Sequence, residues 1–315
     1  MFKPLSKITL LLTTLLLVSA CGESTLESEH VLVRNHTDLA HLYGITSIQG
    51  DVSIMADDVT SLIQLRELTQ IDGDLIISHT ASLIDLSGLD NLVSVTGRIT
   101  IGMNDSLQTL KGLSNLQEVG EFWINGNPAL ASLQGTQSLE AVRGDVVIWQ
   151  NERLENLSGL ESLESIGGDF KVCANPSLVS LMALSSISDI GESLIVVDNA
   201  SLTDLGNLGQ VQTLPGELNI NENPSLSHLD GLSGLEVVLG DVHIYSLDNL
   251  SNTNGLKNLV AVHRSLILWR NPQLRNIDGL AKLETIGGSL EISENPMLEN
   301  LVGLKNLGSI AESMM

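Results

Sequence analysis

The stretch GGDFKVCANPSLVSLMALSSISDI, residues 167–190, contains one complete copy of a unit that fills most of the chain. In its first part apolar residues alternate with small or polar ones, since Phe170 and Val172 are apolar and their neighbours are not large apolar residues. This alternation is typical of a short strand with one buried side. Its second part places an apolar residue at every third position from Leu178 to Ile190. A helix drifts by about 60° at each three-residue step, so this spacing forms no helical stripe and indicates a tightly coiled, extended chain.

The unit repeats eleven times from residue 50 onward, at a spacing of 23 or 24 residues. One unit cannot bury its own apolar side, whereas stacked units can. The sequence therefore predicts an all-β fold, a right-handed β-solenoid or β-helix. Residues 50–315 are expected to form the repeat solenoid, and residues 30–49 a capping half-repeat before it. The copies start at Gly50, Gly73, Gly97, Gly120, Gly144, Gly168, Glu192, Gly216, Gly240, Arg264 and Gly288.

An asparagine follows the strand in most units. Stacked side chains with both a donor and an acceptor can satisfy the backbone groups exposed at each corner. We therefore interpret this asparagine column as a structural ladder. Its members are Asn104, Asn127, Asn151, Asn175, Asn199, Asn223, Asn271 and Asn295.

The first residues have the features of an export signal. Lys3 and Lys7 precede an apolar run too short to span a bilayer, and small residues lead up to Cys21. This arrangement resembles the lipobox of bacterial lipoproteins, which implies a signal peptide at residues 1–20, acylation of Cys21 and a lipidated tether at residues 21–29. The expected location is then the bacterial cell envelope, lipid-anchored and in the outer membrane. Membrane contact would come through that lipid.

The charge and the histidine content argue against a nucleic-acid partner and against a metal site. The formal net charge is −23, and removal of residues 1–20 takes away two lysines and no acids, giving −25. Such a surface repels nucleic acid, so no nucleic-acid partner is expected. The seven histidines are scattered and suggest no metal site. We expect no cofactor and no catalytic residues.

Acidic residues recur at the second position of most units. A catalytic site occurs at a single place in a fold, whereas a residue needed to form a turn recurs in every unit, so we favour a turn-forming role for these acids over Ca²⁺ binding or catalysis. This acidic column contains Asp51, Asp74, Glu121, Asp145, Asp169, Glu217 and Asp241.

Units such as IGGDFKVCANPSLVSLMAL resemble the receptor L domain, a leucine-rich-repeat-related β-helical module of growth factor receptors. The resemblance extends over nearly all of residues 31–312 and implies a ligand-binding fold. Two departures weaken any transfer of the ligand: the disulfide modules that bracket the receptor domains are absent, and the run of units is longer.

All three tryptophans and Tyr245 fall at the fourth or sixth position of a unit, which faces outward if the third and fifth face the core. Asn219 and Asn221 separate two clusters. We call both together the aromatic face; the first cluster is Trp123, Val147, Trp149, Ile195 and Val197, and the second is His243, Tyr245, Ile267 and Trp269.

Exposed apolar patches commonly mark contact with another molecule. The sequence thus predicts non-enzymatic recognition of a protein or a glycan through the aromatic face. Two alternatives stay open: a structural envelope protein that associates with itself through this face or its C-terminal end, and, with less support, a β-helix carbohydrate-active enzyme. A loop, the tether or a second copy of the chain could also cover the face.

Overall fold

The computed structural model describes residues 16–20 and 23–311. Cys21, together with most of the predicted signal peptide and residues 312–315, lies outside the described residues. Within the described part, no helix has both the length and the hydropathy needed to cross a bilayer.

The chain forms a right-handed β-solenoid of about twelve stacked coils, which confirms the predicted fold class. Each coil contributes one strand to a parallel main sheet, and each strand pairs with the strand one repeat earlier and one repeat later. The main-sheet strands are β2 (Glu23–Val33), β3 (Ser47–Ile54), β5 (Leu75–Ser78), β6 (Ser94–Gly102), β7 (Glu118–Asn125), β9 (Val146–Trp149), β11 (Phe170–Cys173), β13 (Leu194–Val197), β15 (Leu218–Asn221), β17 (Val242–Tyr245), β19 (Leu266–Trp269) and β21 (Leu290–Ser293).

A second row of short strands ends most repeats, at the apolar residue before the glycine turn. The short strands of the earlier repeats join the main sheet, whereas the last five, from Thr213–Leu214 to Ser309–Ile310, form a separate parallel sheet. These strands are β4 (Gln70–Asp72), β8 (Ala141–Val142), β10 (Ser165–Ile166), β12 (Asp189–Ile190), β14 (Thr213–Leu214), β16 (Val237–Val238), β18 (Ala261–Val262), β20 (Thr285–Ile286) and β22 (Ser309–Ile310).

The leucines spaced by three line the interior, as in Leu178, Leu181 and Leu184, which are fully buried. In six of the described repeats this segment includes a single 3₁₀ turn, a conformation with three residues per turn that brings residues three apart onto one side. The sequence predicts coiling here but not the 3₁₀ turns. They span Ile63–Leu65, Met182–Leu184, Asp230–Leu232, Asn254–Leu256, Asp278–Leu280 and Val302–Leu304.

The N-terminal coil differs from the expectation. Residues 23–29, predicted as a tether, belong to strand β2, which pairs in parallel with β3 along most of its length. Strand β1 (Leu16–Ala20) pairs with β2 in the antiparallel sense. The short helix α1 (His36–Ala40) follows, and Leu39 and Leu42 enter the core. The first coil is therefore nearly complete, because Leu26 and Val33 are buried as strand residues in later coils are.

The residue that precedes the ladder asparagine has a left-handed backbone conformation in almost every coil. Nine non-glycine residues at this place, among those that the structure describes, have φ between 52° and 57°. Seven of them precede an asparagine, whereas His79 and Ser246 precede Thr80 and Leu247, which stand at the ladder position of their coils. This conformation costs about 1–2 kcal/mol for a residue with a Cβ, so the stacking of the coils must offset the strain. The residues are His79, Met103, Gln150, Ala174, Asp198, Glu222, Ser246, Arg270 and Glu294.

Candidate functional site

The ladder asparagines stack inside the corner that follows each main strand. In Asn151, Nδ2 donates to the carbonyl oxygen of Ile124, 3.0 Å away, and to that of Trp149. The backbone amide of Asn151 donates to Oδ1 of Asn175, also at 3.0 Å. Because each asparagine serves backbone groups of two coils, these side chains are engaged in the fold itself. In the other ladder asparagines Nδ2 likewise donates to a main-strand carbonyl oxygen of the preceding coil. These asparagines are Asn104, Asn127, Asn175, Asn199, Asn223, Asn271 and Asn295.

The acidic column also bonds to the backbone. Oδ1 of Asp145 accepts the amide of Asp169 at 2.9 Å, and Oδ1 of Asp241 accepts the amide of Ser265 at 2.7 Å. Where the column holds serine, as at Ser193, the hydroxyl oxygen accepts the next amide instead. One carboxylate oxygen of each such aspartate is thus fixed along the edge of the main sheet. No group of three or more potential metal ligands occurs among the residues that the structure describes.

The residues of the aromatic face lie in two columns of the outer sheet surface, on neighbouring strands. The fourth-position column contains Trp123, Val147, Lys171, Ile195, Asn219, His243, Ile267 and Glu291 in register. The sixth-position column contains Asn125, Trp149, Cys173, Val197, Asn221, Tyr245, Trp269 and Ser293. The structure therefore brings each cluster together, and Asn219 and Asn221 lie between the two, bonded to each other.

Trp123 in the first cluster is covered by a side chain of its own protein. The guanidinium carbon of Arg98 lies 4.1 Å from the Trp123 ring centroid, and Arg98 Nε is 2.7 Å from Oε2 of Glu121. Trp123 is half-buried, and its buried Nε1 has no hydrogen-bond partner among the described residues. Trp149, on the next strand, is 45% exposed. Within this cluster Trp149 is thus the open aromatic ring.

Lys171 divides the first cluster in the fourth-position column. Burial alone would lower the pKa of Lys171, but its ion pair with Asp169 and the nearby charge of Asp145 outweigh burial and raise it. Burial likewise acts to raise the pKa of Asp169, and the hydrogen bonds from Lys171 and Ser193 hold that pKa below its usual value. Both groups therefore stay charged at neutral pH, and the cation lies between two apolar patches.

Tyr245 and Trp269 form the centre of the second cluster. Their ring centroids are 5.9 Å apart and the rings are tilted by 47°, a favourable arrangement for an aromatic pair. Burial raises the pKa of Tyr245, and the negative charges of Glu222 and Glu217 raise it further. The second cluster is therefore an aromatic pair in a negative environment.

Cys173 lies between Trp149 and Val197 and is half-buried. Burial raises the pKa of its thiol, although a backbone hydrogen bond from Val197 and the charge of Lys171 act in the opposite direction. A thiol that stays protonated at neutral pH is a weak nucleophile. Cys173 is best described as part of the apolar surface of the first cluster.

The sequence analysis did not predict a role on this surface for two basic residues, Arg98 and Lys171. Arg98 stands at the second position of its unit, where most units carry an acid, and this reversal of charge was the available signal. Lys171 stands in an otherwise uncharged stretch of the fourth-position column. Both cations pair with the acidic column, so the sheet surface is more polar than the tryptophans alone suggest.

Two surface hollows of the molecule lie away from the aromatic face. One, of about 530 Å³, is lined by 3₁₀-turn residues such as Asp230 and Asp278, and another, of about 520 Å³, lies near Arg34 and Met55. No residue of the aromatic face lines either hollow. Small molecules bind in concave pockets as a rule, so a surface that lies outside both hollows suits an extended partner better.

A scan against protein-family models finds no match for this chain, and a search of curated proteins likewise finds none.

Proposed function

We propose that this protein is an envelope lipoprotein that recognises a protein or a glycan through its aromatic face, without catalysis. The observation that carries the proposal is the placement of Trp149, Tyr245 and Trp269. All three rings lie on the outer surface of a sheet whose interior is otherwise aliphatic apart from phenylalanines such as Phe122 and Phe170. Aromatic side chains with one free face are the residue types that dominate binding energy at recognition surfaces.

The rigidity of the solenoid supports this role. The fixed spacing of parallel strands, about 4.8 Å, holds the rings in one geometry before any partner arrives. A preorganised surface loses less conformational entropy on binding than a flexible one. The resemblance to receptor L domains, which are binding modules, agrees with this proposal.

The envelope location rests on the lipobox-like sequence that ends at Cys21. A lipid at that position would attach the solenoid by its first coil, since β2 begins at Glu23. The main sheet would then extend away from the membrane, with both clusters accessible. Self-association through the same face is the second candidate, because an exposed apolar patch can equally meet a second copy of itself.

Loss of aromatic rings from the face should weaken recognition strongly. We expect Trp149→Ala combined with Trp269→Ala to weaken co-sedimentation of the purified chain with bacterial envelopes by at least about tenfold, since central aromatic residues often contribute 2 kcal/mol or more. Cys21→Ser in every variant removes the anchor from the comparison. The matched control is Tyr43→Ala, which removes an exposed aromatic ring of the first coil, away from the face.

An unchanged bound fraction for the double variant would contradict the proposal. Equal losses for the double variant and for Tyr43→Ala would contradict it as well, because binding would then depend on exposed rings in general.

A further inference from the structure

One coil of the solenoid, residues 216–239, is bonded to its neighbours less completely than the coils around it. Up to Asn223 the asparagine ladder is continuous, because the backbone amide of each member donates to Oδ1 of the next, as Asn199 does to Asn223 at 3.0 Å. The next coil has Leu247 at this position, which offers no acceptor. The buried amide of Asn223 therefore has no hydrogen-bond partner among the described residues. The ladder resumes one coil later, where the amide of Leu247 donates to Asn271.

The side of the coil that follows the ladder corner has a second gap. In the coil before, the amide of Thr203 donates to the carbonyl oxygen of Val179 at 2.9 Å. In a later coil, the amide of Arg275 donates to the carbonyl oxygen of Ser251 at 3.0 Å. The equivalent amide of Ser227 has no backbone acceptor within the described part of the chain. Two equivalent amide bonds are thus absent from this one corner and the side after it.

The isolated β-bridges on the same side are interrupted at the same coil. Asp204 is bridged to Ser180 in the coil before it, and Asn252 is bridged to Asn276 in the coil after it. His228 lies midway between Asp204 and Asn252 in the repeat, and no bridge joins it to either of them among the described residues. Residues 223–228 therefore have fewer backbone contacts with neighbouring coils than their equivalents on either side.

The other two sides of this coil are continuous. Strand β15 pairs in full register with β13 and β17, and the short strand β16 pairs with β14 and β18. On the remaining side, the amide nitrogen of Ser251 is 3.4 Å from the carbonyl oxygen of Ser227, and Nδ2 of Asn249 donates to the carbonyl oxygen of Pro224 at the surface. Segments with few buried backbone bonds are the ones that open locally in folded proteins. Two intact sheets would then act as the pivot, and the third side would open.

The same coil separates the two clusters of the aromatic face. Asn219 and Asn221 lie on β15, the first cluster lies on β7 to β13, and the second lies on β17 and β19. The ladder is continuous through the coils of the first cluster and again through those of the second. Each cluster therefore belongs to its own well-bonded stack of coils, and the weakly bonded coil lies between the stacks.

We propose that the solenoid has a joint at residues 216–239, where the segment at 223–228 opens locally and the two stacks bend relative to each other about the main sheet. The inference concerns the free chain and goes beyond the proposed function. Each cluster keeps its own geometry, whereas the angle between the clusters varies. A partner that contacts both clusters would select one angle, and a partner of a single cluster would select none.

Amide hydrogen exchange of the full chain, corrected for intrinsic rates, tests the local opening. We expect the amides of Asn223 and Ser227 to exchange at least about tenfold faster than those of Asn199 and Thr203, their equivalents one coil earlier. Leu247→Asn supplies the missing acceptor and should slow exchange at Asn223 by about tenfold, the effect of one added hydrogen bond. Leu247→Val is the matched control, because valine is also smaller than leucine but accepts no amide. Equal exchange in the two coils, or an equal effect of both substitutions at Asn223, would overturn the inference.

Spin-label distances measure the bending without any change at the ladder. The labels occupy an exposed column on the open side, in a chain with its two native cysteines replaced by serine. Val179→Cys with Glu299→Cys crosses the joint, and Ile84→Cys with Thr203→Cys lies within the first stack. Both pairs are five coils apart along this column, about 24 Å at about 4.8 Å per strand.

We expect the distance distribution of the pair across the joint to be at least about 1.5 times as wide as that of the pair within the stack. Equal widths would overturn the inference, even if a variant at Leu247 failed to fold. Neither experiment uses a partner. Failure of the proposed function would appear separately, in the envelope co-sedimentation of the Trp149 and Trp269 variants.

Discussion

Asn175→Leu is expected to lower the free energy of unfolding by about 4 kcal/mol, since it leaves at least two buried polar groups unpaired at about 1–3 kcal/mol each. Asn175 is fully buried. Its Oδ1 accepts the backbone amide of Asn151, and its Nδ2 donates to the carbonyl oxygens of Ile148 and Cys173, both at 3.0 Å. Leucine has the same branching and the same number of side-chain heavy atoms as asparagine, although its methyl groups are bulkier, and it offers neither a donor nor an acceptor. Urea unfolding followed by circular dichroism measures the change.

The chain supplies a reciprocal control at Leu247, where a leucine already occupies the ladder position. Leu247→Asn could accept the amide of Asn223 and donate to the carbonyl oxygen of Ile220, as the other asparagines do in their coils. Two hydrogen bonds, worth about 1 kcal/mol each, would roughly offset the lost burial of a leucine side chain. We expect a change within about 1 kcal/mol. Similar large losses for both variants would show that volume, and not hydrogen bonding, decides this position.

Gly159→Ala is expected to destabilise the solenoid by about 3 kcal/mol or more, through combined backbone strain and overlap. Gly159 has φ of +118°, and an added Cβ would lie 2.1 Å from the carbonyl oxygen of Leu133 in the preceding coil. The coils cannot separate locally, because each leucine of this corner is buried against its neighbours. The thermal unfolding midpoint and the urea midpoint should both fall.

Gly126→Ala is the matched control. Gly126 also has a positive φ, +66°, but the nearest atom to an added Cβ is 3.6 Å away. Ala174 adopts the equivalent conformation two coils later, with φ of 55°. The expected cost is therefore about 1 kcal/mol, from backbone conformation alone. If both alanine variants lost the same stability, contact between coils at Gly159 would not be the cause.

Repetition made most of the fold predictable. Because the side-chain alternation of a strand has a period of two, Phe170 and Val172 had to face the core together, and the neighbours of every outward residue followed from the repeat length. The columns that contain Trp149 and Tyr245 were therefore predicted with their correct neighbours. The lipid at Cys21 and the identity of the partner stay predictions.

Features that depend on a single coil were not predictable in the same way. The residue with the left-handed conformation before the asparagine differs in type from coil to coil, for example alanine at Ala174 and arginine at Arg270, so the sequence gives no signal for this conformation. Strand β2 was missed because its polar sequence carries no repeat signature, and its pairing with β3 depends on the sheet edge that β3 provides. The stacking of Arg98 on Trp123 is a contact between adjacent coils, and it could not be predicted without the positions of the side chains.

The central claim is that the aromatic face is open in the isolated protein. Acrylamide quenching of tryptophan fluorescence tests it most directly, in a chain with Cys21→Ser and with Trp123→Phe, which removes the ring that Arg98 already covers. Trp149 and Trp269 then report alone, and sedimentation at each protein concentration gives the mass. We predict ready quenching that does not change with concentration. Protection that appears as the mass rises would support self-association, and protection of both rings in the monomer would contradict the account.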